Sequence, residues 1–166
     1  KGVNDDELLD IIDLVKEFKS EIRFIEYMDV GETHDWNLNK VIPTKELITK
    51  IKHFHELQAI ESEKSSTSKR WLIKNTNSSV GFISSITEPF CSDCNRARLS
   101  VDGKLFTCLF ATEGYDFKEI LRSNKSDDKF LNYFQEIWRN RSDRYSEIRF
   151  IKKEDLPKVE MSYIGG

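Results

Sequence analysis

The three cysteines of the chain all fall within one short stretch, CSDCNRARLSVDGKLFTC. Cys91 and Cys94 form a CxxC pair, and Cys108 follows after a gap of thirteen residues. CxxC spacing lets two thiolates reach one metal centre from a tight turn. An odd number of cysteines without a secretion signal favours metal or redox chemistry in a reducing compartment over disulfides.

Spacing alone leaves three interpretations of the cysteines open. They could hold an iron–sulfur cluster with one iron left open for a substrate. They could hold zinc with a histidine as fourth ligand, although His34, His53 and His55 all lie more than thirty residues from the CxxC pair. Three buried thiols without a metal are the least favoured interpretation, because CxxC is followed by a third cysteine on a facing strand.

Two arginines, Arg96 and Arg98, alternate on the strand predicted beside the cysteines. Their guanidinium groups could clamp a phosphate or a purine edge, and would offset the negative charge of thiolates. A solvated sheet edge is the other interpretation. Their position beside the cysteines favours a binding role.

The hairpin between Arg96 and Cys108 decides which side chains share a face. A two-residue turn at Asp102-Gly103 would set Cys108 opposite Ala97, whereas a three-residue loop with Gly103 left-handed sets it opposite Arg96. Only the second register points Cys94, Arg96, Arg98 and Cys108 the same way. A metal site requires this arrangement, so we predict the three-residue loop.

The apolar stretch EIRFIEYMDVG predicts a buried strand over 21–31. A buried Arg23 would need an anionic partner, unless it lies at a strand end and reaches water. Strict alternation puts Arg23 and Met28 on opposite faces, so they share a pocket only if the strand ends or bulges near Tyr27. On pattern alone Met28 belongs to the core.

The remaining pattern predicts an α+β fold. Helices are expected over about 8–18, 45–55 and 127–140, and Asp116 with Glu119 is expected to cap a further short helix. Hairpins are expected over WLIK to VGFISSI and RARLSV to KLFTCLF. The polar stretch 61–70 is expected to be a mobile loop. A helix followed by the strand 21–31 is typical of the last part of a βα repeat, whose partner strands we expect upstream.

Composition limits the classes of partner. The chain has 166 residues, 38% of them hydrophobic, which is enough for a packed core. A formal net charge of -3 argues against a general nucleic-acid binder. No apolar run reaches the length of a membrane span and no signal-peptide pattern is present, so we expect a cytoplasmic protein without membrane or nucleic-acid partners.

The chain resembles a known family in five stretches: GVNDDE, IRFIEYMDVG, CSDCNRARLSVDGKLFTCLFATEG, DRYSE and MSYIGG. The family is MoaA, the radical SAM GTP 3′,8-cyclases of molybdenum-cofactor biosynthesis. The similarity covers the chain nearly end to end and corresponds to the C-terminal half of the family. The combination of CxxC, NRAR, the thirteen-residue gap and the final Gly-Gly is highly specific.

The resemblance implies an incomplete TIM-type barrel with two [4Fe–4S] clusters. The first, on a CxxxCxxC motif, cleaves S-adenosylmethionine to a radical that abstracts a ribose hydrogen of GTP. The sugar carbon then attacks C8 of guanine. The second cluster, on cysteines matching Cys91, Cys94 and Cys108, binds the guanine through its open iron.

The resemblance also implies roles for single residues. Arginines matching Arg96, Arg98 and Arg23 contact GTP, and Met28 matches a residue near the adenosyl cofactor. The tail ending in Gly165 and Gly166 is expected to enter the active site, and two glycines would thread a narrow cleft.

The implied domains are a barrel remnant over 1–31, a cluster- and substrate-binding domain over 32–149, and a tail over 150–166. The sequence has no CxxxCxxC motif. We therefore expect a fragment whose N-terminal radical SAM half is missing, which is inactive alone. A homodimer is a further expectation. The alternative is a zinc-binding interaction module without catalysis.

Overall fold

The structure, a computed structural model, describes residues 1–31, 35–123, 126–148 and 159–164. The chain divides into two compact units, a first unit of Lys1–Asp29 with Trp36–Cys94 and a second unit of Val30–Asp35 with Asn95–Gly166. The helices are α1 Leu8–Glu17, α2 Thr44–Lys52, α3 Phe117–Arg122, α4 Asp127–Arg139 and α5 Tyr145–Ile148. The strands are β1 Glu21–Ile25, β2 Leu57–Ile60, β3 Lys69–Ile73, β4 Ser79–Ile83, β5 Arg98–Leu99, β6 Lys104–Phe106 and β7 Tyr115–Asp116. The α+β class is confirmed, whereas the incomplete barrel stays a prediction.

A four-stranded sheet in the order β1-β4-β3-β2 organises the first unit. The pairs β2–β3 and β3–β4 are antiparallel, and β1 runs parallel to β4. The predicted hairpin between WLIK and VGFISSI is confirmed as β3–β4, with the Ile73 N–H donating to the Ser78 carbonyl at 3.0 Å. The parallel neighbour that the structure gives β1 therefore lies downstream in the chain, and the expectation of upstream partner strands stays a prediction.

The core of the first unit forms where this sheet meets α1 and α2. Its buried side chains are Leu8, Ile12, Ile51, Ile73, Val80 and Phe82. The apolar residues of α1 recur at helical spacing, so one stripe of the helix is buried and the other faces water. Each such side chain contributes about 1.5–3 kcal/mol by leaving water.

β1 is shorter and less buried than the apolar pattern predicts. The strand ends at Ile25, far before Gly31, and occupies an edge of the sheet with Arg23 and Ile25 exposed. The Glu26 N–H still donates to the Ile83 carbonyl at 3.1 Å. After Glu26 the strand pairing ends. The buried carboxylate of Glu26 accepts backbone N–H groups of Thr44 and Ile86, which belong to other segments.

The second unit is built on a three-stranded sheet in the order β5-β6-β7. Phe117 of α3 is buried against Leu105 of β6 and Ile137 of α4, with aromatic rings of α4 around it. The predicted cap of α3 is confirmed, since the Asp116 carboxylate accepts the Glu119 N–H at 2.9 Å. Helix α4 also lies where its amphipathic pattern predicts.

The β5–β6 hairpin has the predicted three-residue loop. Arg98 pairs with Phe106 and Leu99 with Leu105, which leaves residues 101–103 as the loop. Gly103 has φ +85°, the left-handed conformation that glycine tolerates. Its carbonyl accepts the N–H groups of Phe117 and Lys118, so the loop also fixes the start of α3.

Candidate functional site

The CxxC pair forms a single turn at the end of the first unit. Residues Cys91–Asp93 form a 3₁₀ turn, and the Cys94 N–H donates to the Cys91 carbonyl at 3.3 Å. Both thiols are half-buried. Two side chains at the ends of one turn suit a shared metal, as the spacing predicted.

The serine-rich loop packs against this turn. The backbone N–H of Ser65 donates to Asp93 Oδ2 at 2.5 Å, and the Ser65 hydroxyl lies 3.4 Å from Asp93 Oδ1. The loop that precedes β3 thus contacts Asp93, one of the two residues between the cysteines. Nothing in the composition of 61–70 indicated a partner for it.

Cys108 follows β6 in the second unit. The Phe110 N–H donates to its sulfur, with a nitrogen–sulfur distance of 3.5 Å. Extending the observed register by two further pairs would set Cys108 opposite Arg96. The ladder ends before that pair, so the common face for Cys94, Arg96, Arg98 and Cys108 stays a prediction.

The predicted ligands and arginines are divided between the two units. Cys91 and Cys94 belong to the first unit, whereas Arg96, Arg98 and Cys108 belong to the second. Arg96 is exposed and Arg98 is half-buried. Within the described ranges, no group of three or more His, Cys, Asp and Glu side chains is arranged to hold a metal ion.

The donor chemistry of the cysteines nevertheless fits a soft metal centre. All three thiols are half-buried, and none forms a disulfide in the part of the chain that the structure describes. Thiolates suit zinc and iron–sulfur clusters equally. His55, a candidate fourth ligand for zinc, has its Nε2 at 3.9 Å from Asp13 Oδ1, and His34 lies outside the described residues.

Arg23 is exposed at the edge strand and pairs with Glu21. Its Nε donates to Glu21 Oε1 at 2.6 Å, and its side chain is 55% exposed. The anionic partner expected of a buried arginine is present, although Arg23 is not buried. Met28 is half-buried beyond the end of β1. Because β1 ends before Tyr27, strict alternation no longer places Arg23 and Met28 on opposite faces. That the two side chains share one pocket stays a prediction.

Glu21 joins Arg23 to a second arginine that the sequence did not single out. Arg70 Nε donates to Glu21 Oε2 at 2.6 Å, and the Ser79 hydroxyl donates to the same oxygen at 3.0 Å. Burial raises the pKa of Glu21, but the hydrogen bonds from Arg23, Arg70 and Ser79 outweigh it and leave that pKa lowered. Glu21 is therefore held as a carboxylate between two cations.

A cavity of about 320 Å³ lies along the same strand. Its walls include Asn4, Leu8, Arg23, Ile25, Tyr27 and Lys40. The two expected glycine positions, Gly165 and Gly166, lie outside the described residues. The described segment before them is anchored in the second unit, where Ile164 is fully buried and the Tyr163 hydroxyl donates to Asp102 at 2.8 Å.

Glu26 is a buried carboxylate for which the sequence pattern predicted no role. It is 4% exposed and accepts the N–H groups of Thr44, Ile86 and Thr87 at 2.8–2.9 Å and the Thr87 hydroxyl at 2.6 Å. The signal was a glutamate within an otherwise apolar stretch. These bonds connect the end of β1 to the start of α2 and to the segment that leads towards Cys91.

None of the helices described here is long and apolar enough to cross a membrane.

Comparison with known proteins gives a consistent result. Residues 20–147 match the family model described as Molybdenum Cofactor Synthesis C. Proteins named GTP 3′,8-cyclase are similar over the whole chain: 40% identical in Synechococcus sp., 39% in Staphylococcus carnosus and 42% in Aquifex aeolicus. The matched part is 48%, 50% and 49% of these relatives, respectively. The chain thus spans about half the length of the curated relatives it matches.

Proposed function

Because the chain belongs to the Molybdenum Cofactor Synthesis C family, we propose that it is the cluster- and substrate-binding part of a GTP 3′,8-cyclase. The observation that carries this proposal is the match over residues 20–147, which includes all three cysteines together with Arg23, Arg96 and Arg98. Relatives of about twice the length carry the cyclase name. The reaction of the whole protein is part of the proposal.

Cys91, Cys94 and Cys108 would hold a [4Fe–4S] cluster. Three protein ligands leave one iron open, and when bound the cluster would supply a Lewis-acidic site for the guanine of GTP. The Cys91–Asp93 turn presents two thiols from one short segment, and the third thiol is half-buried and accepts the Phe110 N–H. These features support the proposal over a buried, inert trio of thiols.

The arginines would bind the charged part of the nucleotide. Arg96 and Arg98 follow the CxxC turn directly, and each guanidinium can make charge-assisted bonds to phosphate oxygens. Arg23 would add a third cation, and Met28 would lie near S-adenosylmethionine in the full-length protein. The Gly165-Gly166 tail would reach the active site, anchored through Tyr163 and Ile164.

Anaerobic reconstitution with iron and sulfide tests the cluster. We expect a brown protein with broad absorption in the blue, and we expect Cys108→Ser to lose that absorption because a ligand is removed. Ser92→Ala, an exposed substitution inside the same turn, is the matched control and should keep it. A colourless protein that binds one tight zinc instead would favour a metal-bound interaction module without catalysis.

Isothermal titration of the reconstituted protein with GTP tests the substrate. We expect the double substitution Arg96→Ala with Arg98→Ala to weaken binding by about 2–4 kcal/mol, since two charge-assisted bonds are lost. Lys50→Ala with Lys74→Ala removes the same charge from exposed ion pairs and should change little. Equal affinities for the two double variants would remove Arg96 and Arg98 from the site.

A further inference from the structure

Arg23 and Arg70 lie in one row across three neighbouring strands of the first unit. Gly81 of β4 is the register partner of Arg23 on β1 and of Arg70 on β3. Adjacent strands are about 4.8 Å apart, so the Cα atoms of the two arginines stand roughly 10 Å apart with a glycine between them. No side chain at position 81 separates the guanidinium groups.

The two arginines share one carboxylate and keep most of their donors available. Each uses its Nε to bind Glu21, at 2.6 Å. A guanidinium has five N–H donors, and among the described residues the terminal Nη groups of both arginines form no other hydrogen bond. With side chains 55% and 42% exposed, both present these donors to water. Two cations and one anion leave a net positive charge.

Position 81 also brings a buried hydroxyl beneath the pair. A Cβ at Gly81 would stand 2.3 Å from Ser68 Oγ and 3.2 Å from Arg23 Cγ, so these two groups fill the space that the glycine leaves. Ser68 is 3% exposed, and its hydroxyl has no hydrogen-bond partner among the described residues. A buried hydroxyl without a partner is costly, and no acceptor for this one lies among the described residues.

We propose that Arg23, Arg70 and Ser68 form a subsite for phosphoryl oxygens, with Gly81 as its floor. The Nη edges of two guanidinium groups suit bidentate contacts with phosphate, and the Ser68 hydroxyl supplies a further donor between them. Glu21 is a positioning residue, because it fixes both guanidinium groups through their Nε atoms. The inference rests on the proposed function, within which the phosphoryl groups are the triphosphate of GTP and Arg70 is an additional substrate ligand.

Tripolyphosphate tests the subsite without the nucleoside. Isothermal titration of the whole chain at low salt should show binding that weakens as salt is added. Arg70→Ala should weaken it by about ten- to a hundredfold, the loss expected for one or two charge-assisted hydrogen bonds. Lys74 lies in the turn that follows β3 and forms an exposed ion pair with Glu56. Lys74→Ala removes one positive charge as Arg70→Ala does, and its affinity for tripolyphosphate should stay within about twofold of the native value.

Two results would overturn the subsite. One is the absence of salt-dependent tripolyphosphate binding, and the other is an equal effect of Arg70→Ala and Lys74→Ala. Where Arg70→Ala unfolds by circular dichroism, Arg70→Lys decides, because it keeps the charge and most of the packing but loses the planar fork. That variant should bind several-fold more weakly, and an unchanged affinity would exclude Arg70.

The same titrations separate the subsite from the proposed function. If GTP binds through Arg96 and Arg98 and Arg70→Ala has no effect on it, the subsite is wrong and the proposed function stands. If tripolyphosphate binding depends on Arg70 while GTP binds no more tightly than tripolyphosphate, the subsite stands and GTP recognition fails. If both depend on Arg70, the inference holds in full.

Discussion

At the scale of single residues, Glu26 is the group on which most of the surrounding geometry depends. Its carboxylate accepts three backbone N–H groups and one hydroxyl in a site that is almost fully buried. Burial raises its pKa, but the hydrogen bonds from Thr87, Thr44 and Ile86 together lower it below the ordinary value of 4.5. An ionised carboxylate is therefore part of the folded state.

We expect Glu26→Gln to destabilise the protein by about 2–4 kcal/mol near neutral pH. An amide cannot accept all four donors, and its own NH₂ group would face N–H groups that are already buried. The measurement is the free energy of unfolding in urea. Glu136→Gln, which removes the same charge from an exposed position of α4, is the control and should change little.

The loss of unfolding free energy caused by Glu26→Gln should become smaller as pH falls. Since the folded-state pKa of Glu26 lies below the unfolded one, its contribution is present above about 4.5 and declines as pH falls through the folded value. The native and Glu26→Gln proteins should therefore approach each other in stability in acid. A difference that grows as pH falls below 4.5 would contradict this role.

At the scale of elements, the β5–β6 loop decides where Cys108 lies along the sheet. Gly103 adopts a left-handed conformation, and a Cβ there would approach Lys118 Cβ to 2.9 Å. We expect Gly103→Ala to cost about 1–3 kcal/mol in unfolding free energy, from backbone strain and from displacement of α3. Val101→Ala, in the same loop but fully exposed, is the matched control. Equal urea midpoints for the two variants would show that the loop tolerates a side chain.

The hairpins and the longer helices could be predicted because their signals are local. Asp102-Gly103 marks the turn, and the requirement that Cys108 meet Arg96 selects the three-residue loop that the structure contains. The apolar spacing of α4 likewise defines that helix without reference to other segments. For such elements the turn residues and the spacing of apolar residues are sufficient to predict the structure.

The end of β1 and the role of Arg70 could not be predicted because both depend on distant residues. β1 ends where Glu26 meets donors 18 and 60 positions away, which no local pattern records. Arg70 closes the polar stretch 61–70, so composition assigned it to a loop. Only the register of β3 with β4 places it across Gly81 from Arg23. The two-residue strand β7 is too short to show any period.

At the scale of the whole molecule, we propose that the radical-generating step of the activity lies outside this chain. The chain spans about half of relatives named GTP 3′,8-cyclase and its sequence has no CxxxCxxC motif. We expect the reconstituted chain, given S-adenosylmethionine and a reductant, to form no 5′-deoxyadenosine by chromatography. A full-length relative, such as that of Aquifex aeolicus, is the positive control. Production of 5′-deoxyadenosine by this chain alone would refute the proposed division of labour.

The parallel pairing of β1 with β4 has a consequence for the order of folding. Glu21 pairs with Ser79, 58 positions away, whereas β3 and β4 are joined by a short turn. The hairpin can form early because little loop-closure entropy opposes it, and β1 can join only after a long segment has been ordered. The contact of Arg70 with Glu21 and the Glu26 contacts would then assemble last. Disruption of either would speed unfolding while leaving the refolding rate nearly unchanged.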